Sequence, residues 1–209
     1  MKDEIKDILE WVYCIIIALV LALLFRYFIA TPTIVKQRSM FPTLQADQRL
    51  ILNRTFRISK KKPERGDIIT FEAPIKEYSK WEADQSNPVA VYGEERKGIV
   101  NKFLYYSLEI TKKSYIKRVI ALEGDHVKIE DGKVYINGEE QAEEYLQPDV
   151  VTESDVFYDF IVPEGYFFAM GDNRTKSTDC RVIGCIPLEK LEGIVCFRFW
   201  PLKSFGKID

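Results

Sequence analysis

His126 to Asn137 reads HVKIEDGKVYIN. Val127, Ile129, Val134 and Ile136 alternate with polar residues on either side of Asp131-Gly132. A period of two marks a strand with one buried face, and Asp-Gly suits a two-residue primed turn, so a β-hairpin is predicted here. Other strand-like runs, apolar, β-branched or alternating in part, extend in both directions. Arg49 to Asn53, Asp67 to Phe71 and Tyr115 to Leu122 precede it; Phe157 to Val162, Tyr166 to Met170 and Gly193 to Trp200 follow. Turn residues lie between them, at Glu123-Gly124-Asp125, Pro163-Glu164-Gly165 and Gly171-Asp172-Asn173. Short strands in such succession predict a mainly β fold built on an antiparallel sheet. One stretch breaks the pattern: residues 75–114 are first polar, then aromatic. Within it Ile99, Val100, Phe103, Leu104 and Leu108 follow helical spacing, which predicts a partly helical insertion with its helix over 94–110.

The N-terminus follows other rules. Trp11 to Phe25 reads WVYCIIIALVLALLF without a charge, and after Arg26 the apolar run continues to Ala30. As a helix this covers roughly 30 Å, enough for a bilayer core, so residues 1–30 are expected to carry a single transmembrane helix over about 11–30. Arg26 lies near one end, where its long stem can reach the headgroups. The stretch is long for a cleaved leader, and Phe28 is too bulky for a small-residue cleavage site ending at Ala30. Lys2 and Lys6 precede the span while Arg26, Lys36 and Arg38 follow it, so positive residues alone do not orient it.

The full chain has 209 residues, with 30 Lys plus Arg against 32 Asp plus Glu, and 46% of it is hydrophobic. Beyond residue 30 there is length for one folded domain, 31–209. The net charge of −2 leaves no basic excess to hold nucleic acid. A single His, and cysteines without paired C-x-x-C spacing, argue against a zinc site. The spacing of Cys180 and Cys185 permits a bond outside the cell, and Cys196, in a strand-like run, reads as a small buried hydrophobe. His126 opens a hairpin strand far in sequence from every motif below and reads as uninvolved in chemistry.

Three segments carry chemistry: Arg38-Ser39-Met40-Phe41-Pro42-Thr43-Leu44, then Tyr115-Ile116-Lys117-Arg118-Val119 with Gly124-Asp125, then Gly171-Asp172-Asn173-Arg174 with Ser177, Asp179 and Arg181. Taken singly, each reads as a turn serine, a solvated strand lysine or a plain turn. Taken in this order behind a membrane span, they resemble the type I signal peptidases of bacteria, which are membrane-anchored Ser/Lys endopeptidases.

The resemblance implies that Ser39 is the nucleophile and Lys117 its general base. A serine hydroxyl needs a base to take its proton. A lysine with a pKa of ~10.4 is neutral in only about one molecule in 2,500 at pH 7, so this base must be buried to lose its charge. Side chains alternate along a strand, which puts Tyr115 on the face of Lys117. By the same resemblance Ser177 orients the lysine, Asp179 pairs with Arg181, and Asp172 and Arg118 brace the site. Met40, Leu44, Tyr115 and Ile116 are the candidates to line the small pockets that select Ala in an A-x-A cleavage site. The Ser39 N–H is one expected oxyanion donor. Gln37 stands where relatives often have Ser or Gly, which leaves the second donor open. Phe199-Trp200 reads either as an apolar rim that dips into lipid or as core.

The implied partners are signal peptides of secreted preproteins and the lipid bilayer, with no nucleic acid and no metal or cofactor. The implied location is the cell membrane, spanned once, with the catalytic domain on the extracytoplasmic side. Two alternatives stay open: a specialised relative that processes pilins or conjugation proteins, and a non-catalytic assembly factor of the same fold.

Overall fold

The computed structural model describes residues 2–94, 97–106, 109 and 112–208. In chain order the elements are α1 (Lys2–Phe28), β1 (Ala30–Ile34), β2 (Arg49–Asn53), α2 (Phe56–Ser59), β3 (Ile68–Glu72), α3 (Ile99–Tyr106), β4 (Ser114–Leu122), β5 (His126–Glu130), β6 (Lys133–Ile136), β7 (Glu139–Glu140), β8 (Asp159–Ile161), β9 (Tyr166–Met170), α4 (Cys180–Ile183), β10 (Ile186–Pro187) and β11 (Leu191–Trp200). The fold is mainly β and antiparallel. One sheet has seven strands in the order β1-β2-β11-β3-β4-β9-β10, and a second has four in the order β7-β6-β5-β8.

The hairpin read from HVKIEDGKVYIN is present as β5 and β6, with Val127 facing Ile136 and Ile129 facing Val134. Asp131 and Gly132 both have positive φ, 51° and 78°, as a primed turn needs. The apolar face of the hairpin closes on the large sheet. Val127, Ile129, Val134 and Ile136 share one core with Val119, Ala121, Phe167 and Phe168. Alternation within β3 divides two cores: Ile69 joins this one, and Ile68 joins a smaller cluster with Val35, Met40, Leu44, Leu50, Leu52 and Val195. That smaller cluster underlies the loop that follows β1.

Three sequence expectations are corrected. β1 contains Pro32 and lies outside the strands expected from the sequence; it forms because it is the sheet's edge, where the missing N–H costs no ladder bond. The helix expected over 94–110 spans Ile99–Tyr106, and residues 95, 96, 107, 108, 110 and 111 of its surroundings lie outside the described ones. Cys196 is exposed rather than buried, its thiol 3.3 Å from the Ile51 carbonyl, because a register shift in β11 between Val195 and Phe197 breaks the in-out alternation there. Cys180 and Cys185 are both free and buried.

α1 carries an apolar span over Ile5–Phe28, 24 residues, and the 18-residue window that marks it is not buried against the domain. At 1.5 Å per residue it is about 36 Å long, enough to cross a bilayer.

β11 joins the β1-β2 edge to the middle of the sheet, and Gly193 is its tightest point. A Cβ on Gly193 would stand 2.8 Å from the Leu52 Cβ. Gly193→Ala is expected to lower stability by about 1–3 kcal/mol through overpacking. Chemical unfolding in detergent checks this; an unchanged midpoint would mean that the two strands can separate freely at this point.

Candidate active site

The strand pairing leaves an opening in the sheet. β4 pairs with β3 from Ser114 to Arg118, but its pairing with β9 begins only at Arg118 opposite Met170. The β9 side of residues 114–117 is therefore not laddered. Beyond Met170 the chain turns under the loop that carries Ser39. The Asn173 N–H donates to the Ser39 carbonyl at 3.0 Å, and the Asn173 side-chain amide donates to the Arg38 carbonyl at 3.1 Å. Gly171 fits between Ser39 and Ser177, where a Cβ would collide with the Ser39 carbonyl and the Ser177 hydroxyl.

This docking sets Ser39 Oγ 2.8 Å from Lys117 Nζ. Lys117 is 1% exposed and Ser39 6%. Burial pushes the Lys117 amine down to about 8, against the opposing pull of Asp179. At pH 7 such a group is neutral in about one molecule in ten. The Tyr115 ring centre lies 5.3 Å from the amine. Two carboxylates stand close enough to recharge the lysine, and each is held by an arginine. Arg181 donates to both Asp179 oxygens, at 2.9 and 3.0 Å, while Gly171 N–H adds a third bond at 2.9 Å. Burial alone would raise the Asp179 carboxyl, but the bonds and charge of Arg181 outweigh it and keep it lowered. Arg118 grips Asp172 at 3.0 and 2.9 Å, and the Thr43 hydroxyl donates to the same carboxylate at 2.5 Å. Thr43 ties that ion pair to the serine loop.

Arg174 forms an outer brace that sequence reading missed. It is buried, donates to the Gly171 carbonyl at 3.2 Å and to Thr152 at 2.5 Å, and pairs with Glu143. Tyr145 connects the two braces: its ring lies 4.1 Å from the Arg118 guanidinium carbon, and its hydroxyl accepts from Arg174 at 3.3 Å. Asn173, Gly171 and Arg174 all belong to the Gly-Asp-Asn-Arg run, so the signal was there; the supports Glu143, Tyr145 and Thr152 have no local pattern to reveal them.

The residues expected at the site divide. Ser39, Lys117, Asp179, Arg181, Asp172 and Arg118 converge as described. Ser177 is adjacent, yet its buried hydroxyl makes no hydrogen bond to Lys117. It approaches the Asp179 carboxylate instead, in a geometry short of a hydrogen bond. An open cleft of about 430 Å³ leads to Ser39 and is lined by Thr33 to Gln37 on one wall and by Lys113 to Ile116 on the other, with Glu109, Lys112 and Thr70. Tyr115 and Ile116 line it. Met40 and Leu44 do not: both are 0% exposed and pack in the small core beneath, because the loop turns their side chains inward under Ser39. Gln37 is exposed in the cleft wall. His126 lies apart, exposed and paired with Asp159 at 2.7 Å.

A β-domain behind an apolar helix, with an open cleft ending at a buried serine and lysine, has the architecture of a hydrolase. The chain belongs to the signal peptidase, peptidase S26, family, whose sequence profile matches residues 8–200. It is 35% identical over 195 residues to a probable signal peptidase I-1 of Synechocystis sp., covering 93% of this chain and 83% of that one. To signal peptidase I of Bacillus licheniformis it is 33% identical over 212 residues, covering 98% and 95%. To thylakoidal processing peptidase 1 of Arabidopsis thaliana it is 33% identical over 186 residues, 88% of this chain, and spans 46% of that protein's length.

Gly171 makes the site testable from beneath. Gly171→Ala is expected to push the serine loop off the lysine and to lower kcat/KM by about 100-fold or more. Peptide cleavage beside a thermal unfolding scan checks it; full activity would show that the loop docks without this close approach.

Proposed function

We propose that this protein removes N-terminal signal peptides from secreted preproteins, as a serine endopeptidase that cuts after small residues. Residues 31–209 form the catalytic domain, held on the extracytoplasmic face of the cell membrane by α1. The observation that carries the reading is the 2.8 Å contact between Ser39 Oγ and a buried, charge-depleted Lys117 at the inner end of an open cleft. The neutral amine takes the hydroxyl proton as Oγ attacks the scissile carbonyl carbon. The Ser39 N–H, which has no partner among the described residues, donates to the resulting oxyanion. The ammonium then returns the proton to the leaving amine, and the acyl-enzyme is released by a water that Lys117 deprotonates. Ser177, Asp179, Arg181, Asp172 and Arg118 are positioning residues around this pair.

The cleft suits an extended peptide. β1 is the sheet's edge strand, and β4 is unpaired by β9 over 114–117, so both walls offer backbone groups for strand-like pairing. Tyr115 and Ile116 crowd the cleft beside the lysine, which favours small substrate side chains; Met40 and Leu44 supply the packed floor. Gln37 and the insertion residues Glu109, Lys112 and Lys113 in the wall favour a narrower substrate range as a second reading. Trimming of one preprotein among many would support it.

The first test incubates the detergent-solubilised full chain with a preprotein carrying an Ala-x-Ala site. Ser39→Ala and Lys117→Met are each expected to lower kcat/KM by at least about a thousandfold. Survival of activity in either sinks the mechanism. Log kcat/KM is expected to rise with pH, bend near pH 8 and level off above it as Lys117 becomes neutral; a limb near 6.5 would point to His126 instead.

Stability gives an independent readout. The unfolded chain holds the lysine proton up to about pH 10.5, the folded chain only to about 8. Below pH 8 folding therefore carries a cost of about 3 kcal/mol, which is relieved as pH rises from 8 to 10.5. Lys117→Met is expected to be more stable than the parent at pH 7, with the difference shrinking above pH 8. Equal stability across that range would mean that the amine is solvated.

A further inference from the structure

We propose that Glu109 is a positioning residue that locks the membrane helix to the catalytic sheet and so fixes the angle at which a membrane-embedded substrate enters the cleft. The proposal rests on the peptidase reading for its consequence, but its geometry stands apart from it.

Three arginines meet where α1 enters the domain. Arg26 is in the last turn of α1, Arg54 follows β2, and Arg57 belongs to α2. Arg57 donates to the Tyr27 carbonyl at 2.9 Å and lies 4.3 Å from the centre of the Tyr27 ring. Arg54 is 1% exposed, and its backbone N–H bonds the Ile29 carbonyl at 2.9 Å. Burial and the neighbouring Arg54 charge lower the Arg57 guanidinium, a sign that the cluster is short of negative charge. Glu109 supplies that charge. One carboxylate oxygen pairs with Arg54, and the other lies 3.2 Å from Arg26. Burial would raise this carboxyl, but the two arginines outweigh it and hold it ionised. Glu109 reaches this point from a backbone with φ of 58°, an uncommon conformation for a residue with a side chain.

The same residue lines the cleft that ends at Ser39. One side chain therefore touches the anchor, the sheet and the substrate path. Remove its charge and three guanidiniums face one another in a half-buried space, and Arg26 has no described partner to hold the helix end. A soluble peptide diffuses into the cleft at any angle. A signal peptide is itself held in the bilayer, so its scissile bond meets Ser39 only if α1 and the sheet keep a fixed relation.

Glu109→Gln keeps the shape and removes the charge. Arg26→Gln breaks the same link from outside the cleft. Both are compared with the parent chain reconstituted in lipid vesicles, on a vesicle-inserted preprotein and on a short soluble peptide containing its cleavage site. Each variant is expected to lose about tenfold or more in kcat/KM on the inserted preprotein; Arg26→Gln, whose side chain lies outside the cleft, is expected to stay within about twofold on the peptide, and Glu109→Gln is read on the inserted preprotein and by the label distances below. Spin labels on Cys14 in α1 and Cys196 in β11, the two exposed native cysteines, read the lock without any activity. The distance distribution is expected to be narrow in the parent and broad in both variants. Equal loss on both substrates in Arg26→Gln, or unchanged distributions in either variant, overturns the proposal. A parent that cuts neither substrate while the label distances behave as described would overturn the peptidase reading and leave the lock standing.

Discussion

A lysine amine buried against a serine hydroxyl, its proton held less tightly than in water, is the constraint around which this molecule is arranged. Lysine is among the residues least often buried, and burial here costs about 3 kcal/mol at neutral pH. The cost is specific in its demands. Asp179 and Asp172 both act to restore the proton on Lys117, and an unpaired carboxylate at either position would undo the shift. Arg181 and Arg118 hold those charges in two-pronged pairs, so the lysine is surrounded by groups whose charges are already matched. The pairs are buried, and buried pairs are weak sources of net stability. Their value lies in fixing the dielectric and the geometry at one nitrogen atom.

The fold was legible in the sequence wherever a run was apolar, β-branched or alternating and was bounded by turn residues. The β5-β6 hairpin follows from alternation; β2 and β9 match apolar runs at both ends, and β3, β4 and β11 differ from the expected runs only at their ends. What escaped was decided by position in the sheet. Pro32 argues against a strand until β1 is known to be an edge. Cys196 reads as inward until the irregular pairing of β11 turns it out. At the site, order and spacing brought Ser39 and Lys117 together as a resemblance, but the depth of Met40 and Leu44 depended on how a loop turns over a small core. The Ser177 hydroxyl likewise carries no local signal of which neighbour it faces. Glu109 was least visible of all, because its partners are 83 and 55 residues away in sequence.

The Gly171 turn joins two requirements that could have been met separately. By ending β9 opposite Arg118, it strips the outer edge of β4 over 114–117 and opens the sheet to an extended chain. By passing close under the serine loop, it brings Ser39 to the inner end of that opening, beside the last unpaired residue, Lys117. A longer β9 would cover the edge and displace the loop together. The opening of the sheet and the contact of Ser39 with Lys117 are therefore one structural event. The residue that allows it is the one position in the Gly-Asp-Asn-Arg run where no side chain fits.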